Sequence, residues 1–308
     1  MASAVSLENI RKTYKSHMLR IKRTAIENLS LDVRENEIFG LLGPNGAGKT
    51  TTLKIILGLV APNSGTGHVL GKPLGSKSAR SRIGFLPEQP YFYGFMTAEK
   101  ALMFYGHLAG LDANTIRKRS EELLNLVGLP QGSHLTLEKY SKGMLQRFGI
   151  AQALLNDPDL IIMDEPSSGL DPVGQKEIRD IIISLKDLGK TVFLSSHQLS
   201  EVESVCDSVS IINRGTTVRQ GYLDDLLEVK GVSLITFAGA NERAAEALVP
   251  PAKRVREENG RISVEVDSEK IYEIISMGRD LGFELQSVTP FRKSLEDLFI
   301  EIVRGEKI

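Results

Sequence analysis

Gly43-Pro44-Asn45-Gly46-Ala47-Gly48-Lys49-Thr50 runs G-x-x-x-x-G-K-T. Glycines at this spacing let the backbone curl, so that successive N–H groups point into one bowl suited to anionic oxygens. The run follows the apolar "IFGLL" and opens the helical "KTTTLKIILGL", which adds the positive end of a helix to the bowl. A lysine at this place reaches the β- and γ-phosphates of a nucleotide, and the next hydroxyl, Thr50, ligates Mg2+. Thr51 continues the same turn. A second stretch, "LIIMDE", has four apolar residues that bury a strand, and then two carboxylates, Asp164 and Glu165. Doubly wound sheets place their ligands at the carboxyl ends of strands. There one acid holds Mg2+ through water and the next polarises the attacking water.

The elements that must position these groups are legible around them. "EIFGLL", "RIGFLP", "DLIIMD", "TVFLSS" and "SVSIIN" are short, nearly continuous apolar runs between helical patterns. Such runs predict a parallel sheet covered on both faces, an α/β fold. Asp171 before Pro172 predicts a helix start, with the helix running out near Gly189. Ser141 is the cap expected for a helix ending at "NDP", 156–158. Residues 90–157 break the alternation and read as an inserted helical subdomain. After about Leu226 the pattern changes to β-α-β-β-α-β, with a last helix from Ser294, which predicts a small α+β domain of ferredoxin-like type over 226–308. The basic stretch "RKTYKSHMLRIKR" reads as a solvated hairpin, not as a phosphate or lipid site.

The order of the motifs resembles the ATP-binding subunit of an ABC transporter, over roughly residues 5 to 220. The phosphate cradle at 43–50 is followed by "GFLPEQP" with Gln89, "YSKGMLQR" in the place of the family's signature, "IIMDEPSSGLDP", and "LSSHQLSE" with His197. Tyr14 matches the aromatic that stacks on adenine. The resemblance implies ATP and Mg2+ as ligands and hydrolysis to ADP and phosphate, with residues 1–225 as the ATP-binding domain. It implies Glu165 as general base, Thr50, Asp164 and Gln89 around Mg2+, and His197 at the γ-phosphate. It also implies a head-to-tail pair of subunits, in which Ser141 and Gly143 of one copy close the nucleotide site of the other. Work would pass to a separate integral-membrane subunit, with this chain cytoplasmic and peripheral at the inner face of the membrane.

Departures from the family's commonest signature form, L-S-G-G-Q, are Tyr140, Lys142 and Met144. The "SKGM" form resembles subunits of the type 2 exporter group, as does the tail "SLEDLFIEIVRG", and this implies export. An importer subunit and an ABC ATPase acting on ribosomes or in DNA repair are the alternatives. One cassette and no sustained heptads speak against the second. A formal net charge of -1 over 308 residues leaves no whole-chain basic field, so no nucleic acid partner is expected. No apolar run approaches the ~20 residues of a membrane span. The opening "MASAVSLENIRKTY" lacks a signal-peptide core. The lone Cys206 leaves no intramolecular disulfide and fits a reducing compartment.

Overall fold

The computed structural model describes residues 2–15, 22–130, 132, 134–239, 248–258 and 260–304. In chain order the strands are β1 (Ser3–Lys15), β2 (Lys22–Arg34), β3 (Ile38–Leu42), β4 (Ser64–Val69), β5 (Lys72–Pro73), β6 (Ile83–Leu86), β7 (Leu160–Asp164), β8 (Thr191–Ser196), β9 (Ser208–Asn213), β10 (Thr216–Tyr222), β11 (Glu228–Ala238), β12 (Arg254–Glu258), β13 (Arg261–Asp267) and β14 (Glu284–Arg292). The helices are α1 (Lys49–Ile56), α2 (Lys77–Arg80), α3 (Ala98–Leu108), α4 (Ala113–Leu126), α5 (Lys142–Ala153), α6 (Pro172–Asp187), α7 (Leu199–Val205), α8 (Leu223–Leu227), α9 (Ile271–Asp280) and α10 (Leu295–Arg304). Contacts divide the chain into two compact units, up to Leu223 and from Asp224.

All five apolar runs become strands of one sheet, ordered β5-β4-β1-β2-β10-β9-β3-β8-β7-β6. β3 lies between β8 and β9, and β7 between β8 and β6, all parallel. Every position of β3 and β8 is buried, as covering layers on both faces require. The other half of the sheet is antiparallel: the stretch expected as a hairpin supplies the paired ends of β1 and β2, whose full length no sequence pattern marks. β1 pairs with β2 and with β4, and this arm joins the parallel core through one registered pair, Thr216↔Asn28.

Local chemistry starts the helices as expected. Asp171 caps α6 by accepting from Gly174 N–H at 2.9 Å, with Pro172 in the first turn. Ser141 Oγ accepts from Met144 N–H at 3.2 Å and starts α5. That helix stops at Ala153, short of "NDP". With α3 and α4 it forms the helical block between β6 and β7, whose core includes Leu102, Ile116, Leu124 and Phe148.

The second unit is an antiparallel sheet ordered β12-β13-β11-β14. Ile235, Phe237, Ile262, Val264 and Val266 leave one face of it and bury against Ile274 of α9, at roughly 1.5–3 kcal/mol per large side chain. The first helix expected in this unit, "NERAAEALV", falls largely on residues 241–247, outside the described residues. Among the described residues no helix is long and apolar enough to cross a membrane.

Candidate functional site

β3 delivers the chain to the carboxyl edge of the parallel strands, and the turn there needs two glycines. A Cβ on Gly43 would lie 2.4 Å from the Ile212 carbonyl oxygen of β9. Gly48 has φ +115, and a Cβ on it would lie 2.8 Å from the Ala25 carbonyl oxygen. The loop is therefore pressed between β9 and β2, with no room for a side chain at either end. α1 starts at Lys49 without a side-chain cap, so its first N–H groups face the bowl of the loop. Lys49 Nζ donates to the Gly43 carbonyl at 2.6 Å. Burial lowers the pKa of this ammonium, and the charges of Glu165 and Asp164 pull it back up.

The two acids stand at the end of β7, in register with the end of β8: Asp164 pairs with Ser195. Ser195 Oγ donates to Asp164 Oδ1. Glu165 turns out of the strand at φ +49, a left-handed conformation uncommon for a residue with a side chain. Its N–H donates to the Ser195 carbonyl at 2.9 Å. Its carboxylate is 11% exposed, and Oε2 receives the His197 N–H at 3.3 Å and meets His197 Nδ1 at 2.7 Å. The histidine is half exposed and the acid is not, so the ring stands between the carboxylate and solvent.

These groups line one cleft of about 580 Å³. It brings together Tyr14, Pro44, Asn45, Gly46, Gly48, Lys49, Thr50, Thr51, Asp164, Glu165 and His197. Gly43 and Ala47 belong to the loop but are buried behind it. Three residues on the wall were not singled out beforehand: Arg23, Ala25 and Glu88. Gln89 is exposed and not on the wall; its neighbour Glu88 takes that place. Arg23, at the end of the basic stretch expected as a solvated hairpin, is exposed as that reading has it, and it also lines the cleft. Ser141 and Gly143 are outside the cleft altogether.

Thr50, Asp164 and Glu88 bring oxygen donors to the cleft wall. This set suits Mg2+, which takes one or two carboxylates, waters and substrate phosphates instead of an all-protein cage. Among the described residues no cluster of three or more His, Cys, Asp or Glu forms such a cage.

Two further networks brace the site. Ser167 and Ser196 both donate to the buried carboxylate of Glu201, joining the loop after Glu165 to the strand end before His197. Burial raises the Glu201 pKa. No pattern in the sequence separates this acid from a surface one. On α5, Gln146 Nε2 donates to the Glu88 carbonyl at 3.1 Å, and Lys142 Nζ donates to the Ser168 carbonyl.

Residues 26–168 match the ABC transporter family. An uncharacterized ABC transporter ATP-binding protein of Nostoc sp. is 41% identical over 307 residues, 99% of this chain and 91% of the relative. The bacitracin transport ATP-binding protein BcrA of Bacillus licheniformis is 33% identical over the full length of both chains. Among solved structures, a post-hydrolysis dimer of an ATP-binding cassette bound to ADP and Pi superposes with a TM-score of 0.63 at 26% identity, covering 71% of this chain and 98% of the other.

Proposed function

The chain belongs to the ATP-binding subunits of ABC transporters, and from that premise we propose that it hydrolyses ATP as a head-to-tail pair of copies, driving export through a separate integral-membrane subunit. The observation that carries this reading is a division of labour. Lys49, Asp164, Glu165 and His197 share one cleft, whereas the capped start of α5 lies outside it. Among the described residues a Cβ on Gly143 would meet only Leu170, at 3.9 Å, so none of them demands a glycine there. A surface approached closely by another molecule does.

In this mechanism Lys49 and the first turn of α1 hold the distal phosphates of ATP. Thr50 and Asp164 would hold Mg2+, which when bound supplies positive charge to the transferring phosphates. Gln89 joins that set only after the loop at 87–90 turns it inward. Glu165 accepts the proton of the attacking water. Its Oε2 is engaged by His197, which leaves Oε1 for the water. His197 holds the carboxylate in place from the solvent side and presents its ring toward the γ-phosphate. Tyr14 stacks on the base.

Beyond Gln89, Tyr91 and Phe95 are 91% and 71% exposed, beside a cluster in which Phe92 stacks edge-on against Phe148 at 4.8 Å. Exposed aromatics on a rigid base suit a protein partner, and we assign this face to the membrane subunit. The names of two relatives, a bacitracin transport protein and a linearmycin resistance protein, support export. The second unit, whose described sheet is ordered β12-β13-β11-β14, is read as a ferredoxin-like accessory domain without catalytic residues.

The test is an enforced one-to-one dimer of Lys49→Ala and Ser141→Arg chains. If α5 acts on the other copy's nucleotide, one site carries both lesions and the other none. About one trapped ATP per dimer is then expected, since only the intact site closes. An empty mixed dimer of folded chains refutes the head-to-tail reading.

A further inference from the structure

The cleft contains a cation that none of the family motifs uses. Arg23 on β2 stands directly opposite Tyr14 on β1 in the antiparallel register. Opposed residues leave the same face of a ladder, and both line the cleft. Arg23 Nη2 lies 3.9 Å from the point a Cβ on Gly46 would occupy. Arg23 thus runs from the strand position opposite Tyr14 to the turn of the phosphate loop, while the cation over the Tyr14 ring itself is Lys12, its Nζ 5.3 Å from the ring centre.

Its neighbours on the same ladder have other engagements. Arg11 pairs with Glu27 at 3.0 Å. Lys12 donates to the Ala61 carbonyl at 2.6 Å. Arg34 bonds the Tyr222 hydroxyl. Among the described residues no carboxylate pairs with Arg23. A guanidinium presents a planar fork of donors that matches phosphate oxygens two at a time. Its place in the cleft has negative charge to meet whenever a nucleotide spans from Tyr14 to Lys49: the phosphates nearest the ribose.

We propose that Arg23 is a further nucleotide-binding residue, its guanidinium holding the ribose-proximal phosphates between the stacking ring of Tyr14 and the turn at Gly46. This rests on the reading of the cleft as the ATP site. Arg23 extends the phosphate cradle beyond the loop, from a strand of the antiparallel arm. ATP and ADP profit equally, because the γ-phosphate is not the group contacted.

The experiment measures ATP and ADP affinity by calorimetry in the full-length protein and in four variants: Arg23→Gln, Arg23→Lys, Arg11→Gln and Lys49→Ala. Arg23 is exposed and its removal leaves no buried gap, and thermal melting checks the fold. Arg23→Gln is expected to weaken both nucleotides by about tenfold or more, the scale of hydrogen bonds to a charged group. Arg23→Lys restores part of the loss, because an ammonium keeps the charge but not the fork. Arg11→Gln, which removes an equal charge outside the cleft, changes little. In turnover, KM rises and kcat stays, as for a contact made equally in the ground and transition states. The proposal is overturned if Arg23→Gln binds both nucleotides within about twofold of wild type. It is also overturned if ATP alone is weakened, or if Arg11→Gln matches the loss. Should Lys49→Ala also bind normally, the cleft reading itself has failed, a result distinct from failure of Arg23 alone.

Discussion

Replacing Glu165 by glutamine isolates one proton transfer. The substitution keeps the side chain's length, an amide oxygen still accepts from the His197 backbone N–H, and an amide offers a donor or an acceptor to the ring Nδ1 that Oε2 meets at 2.7 Å. The backbone at φ +49 is no harder for glutamine than for glutamate, since neither branches at Cβ. The fold and the geometry of the cleft therefore survive, and thermal melting is expected to match wild type. What disappears is basicity at the atom that takes the water's proton. A positioned general base contributes about 10²–10⁴ in rate, or roughly 2.7–5.4 kcal/mol of barrier at about 1.36 kcal/mol per decade. Steady-state phosphate release should fall by that factor, while ATP affinity holds, because Lys49 and the loop are untouched. With hydrolysis blocked, ATP should also accumulate a dimer visible by light scattering after gel filtration. Turnover within about threefold of wild type would remove Glu165 from the mechanism, because no base worth less than ~0.7 kcal/mol does this work.

Glu201 makes a different statement, about stability. Its pKa is raised in the folded chain by burial, so its contribution is full below the unfolded value of about 4.5 and is lost as pH rises through the folded value. Glu201→Gln removes that loss; its urea midpoint should exceed wild type at pH 8 and converge with it at pH 4, and a constant offset would refute the assignment. A chain ended at Asp225 should still bind ATP, since among the described residues none that lines the cleft lies beyond His197; a folded fragment that fails to bind would give the tail a part in the site. Joint replacement of Tyr91 and Phe95 by serine should leave ATP affinity unchanged and abolish co-purification with the membrane subunit, and undiminished co-purification would move the docking face elsewhere.

Chemistry confined to one stretch of chain was legible in the sequence. The phosphate loop announces itself because its glycines answer local demands, such as the 2.4 Å approach to Ile212 at Gly43. The pair Asp164-Glu165 is likewise marked by the buried run before it. What depends on register was hidden. Ser195 meets Asp164 only because β7 and β8 align in parallel. Arg23 enters the cleft only because β2 lies opposite Tyr14. Whether Glu88 or Gln89 faces inward turns on the exit from β6, where adjacent side chains point apart. Tyr14 was reached through resemblance to a family, not through any property of a tyrosine in a strand. The basic stretch around Tyr14 was legible as a hairpin, but the extent of the antiparallel arm was not, because its two 13-residue strands alternate irregularly, with shifts in register at several points.

Lys142 stands where the family's commonest signature has a glycine, and its ammonium grips the Ser168 carbonyl, three residues past Glu165. The start of α5 and the loop leaving the catalytic strand are therefore one mechanical piece. In a head-to-tail pair, one end of that piece faces the nucleotide of its own subunit and the other end faces its partner's. Occupancy of either site then biases the posture presented to the other, and linkage makes the influence equal in both directions. The consequence is coupling: ATP titrations of the pair should depart from a single-site isotherm, and Lys142→Met should bring the Hill slope toward unity without abolishing either site.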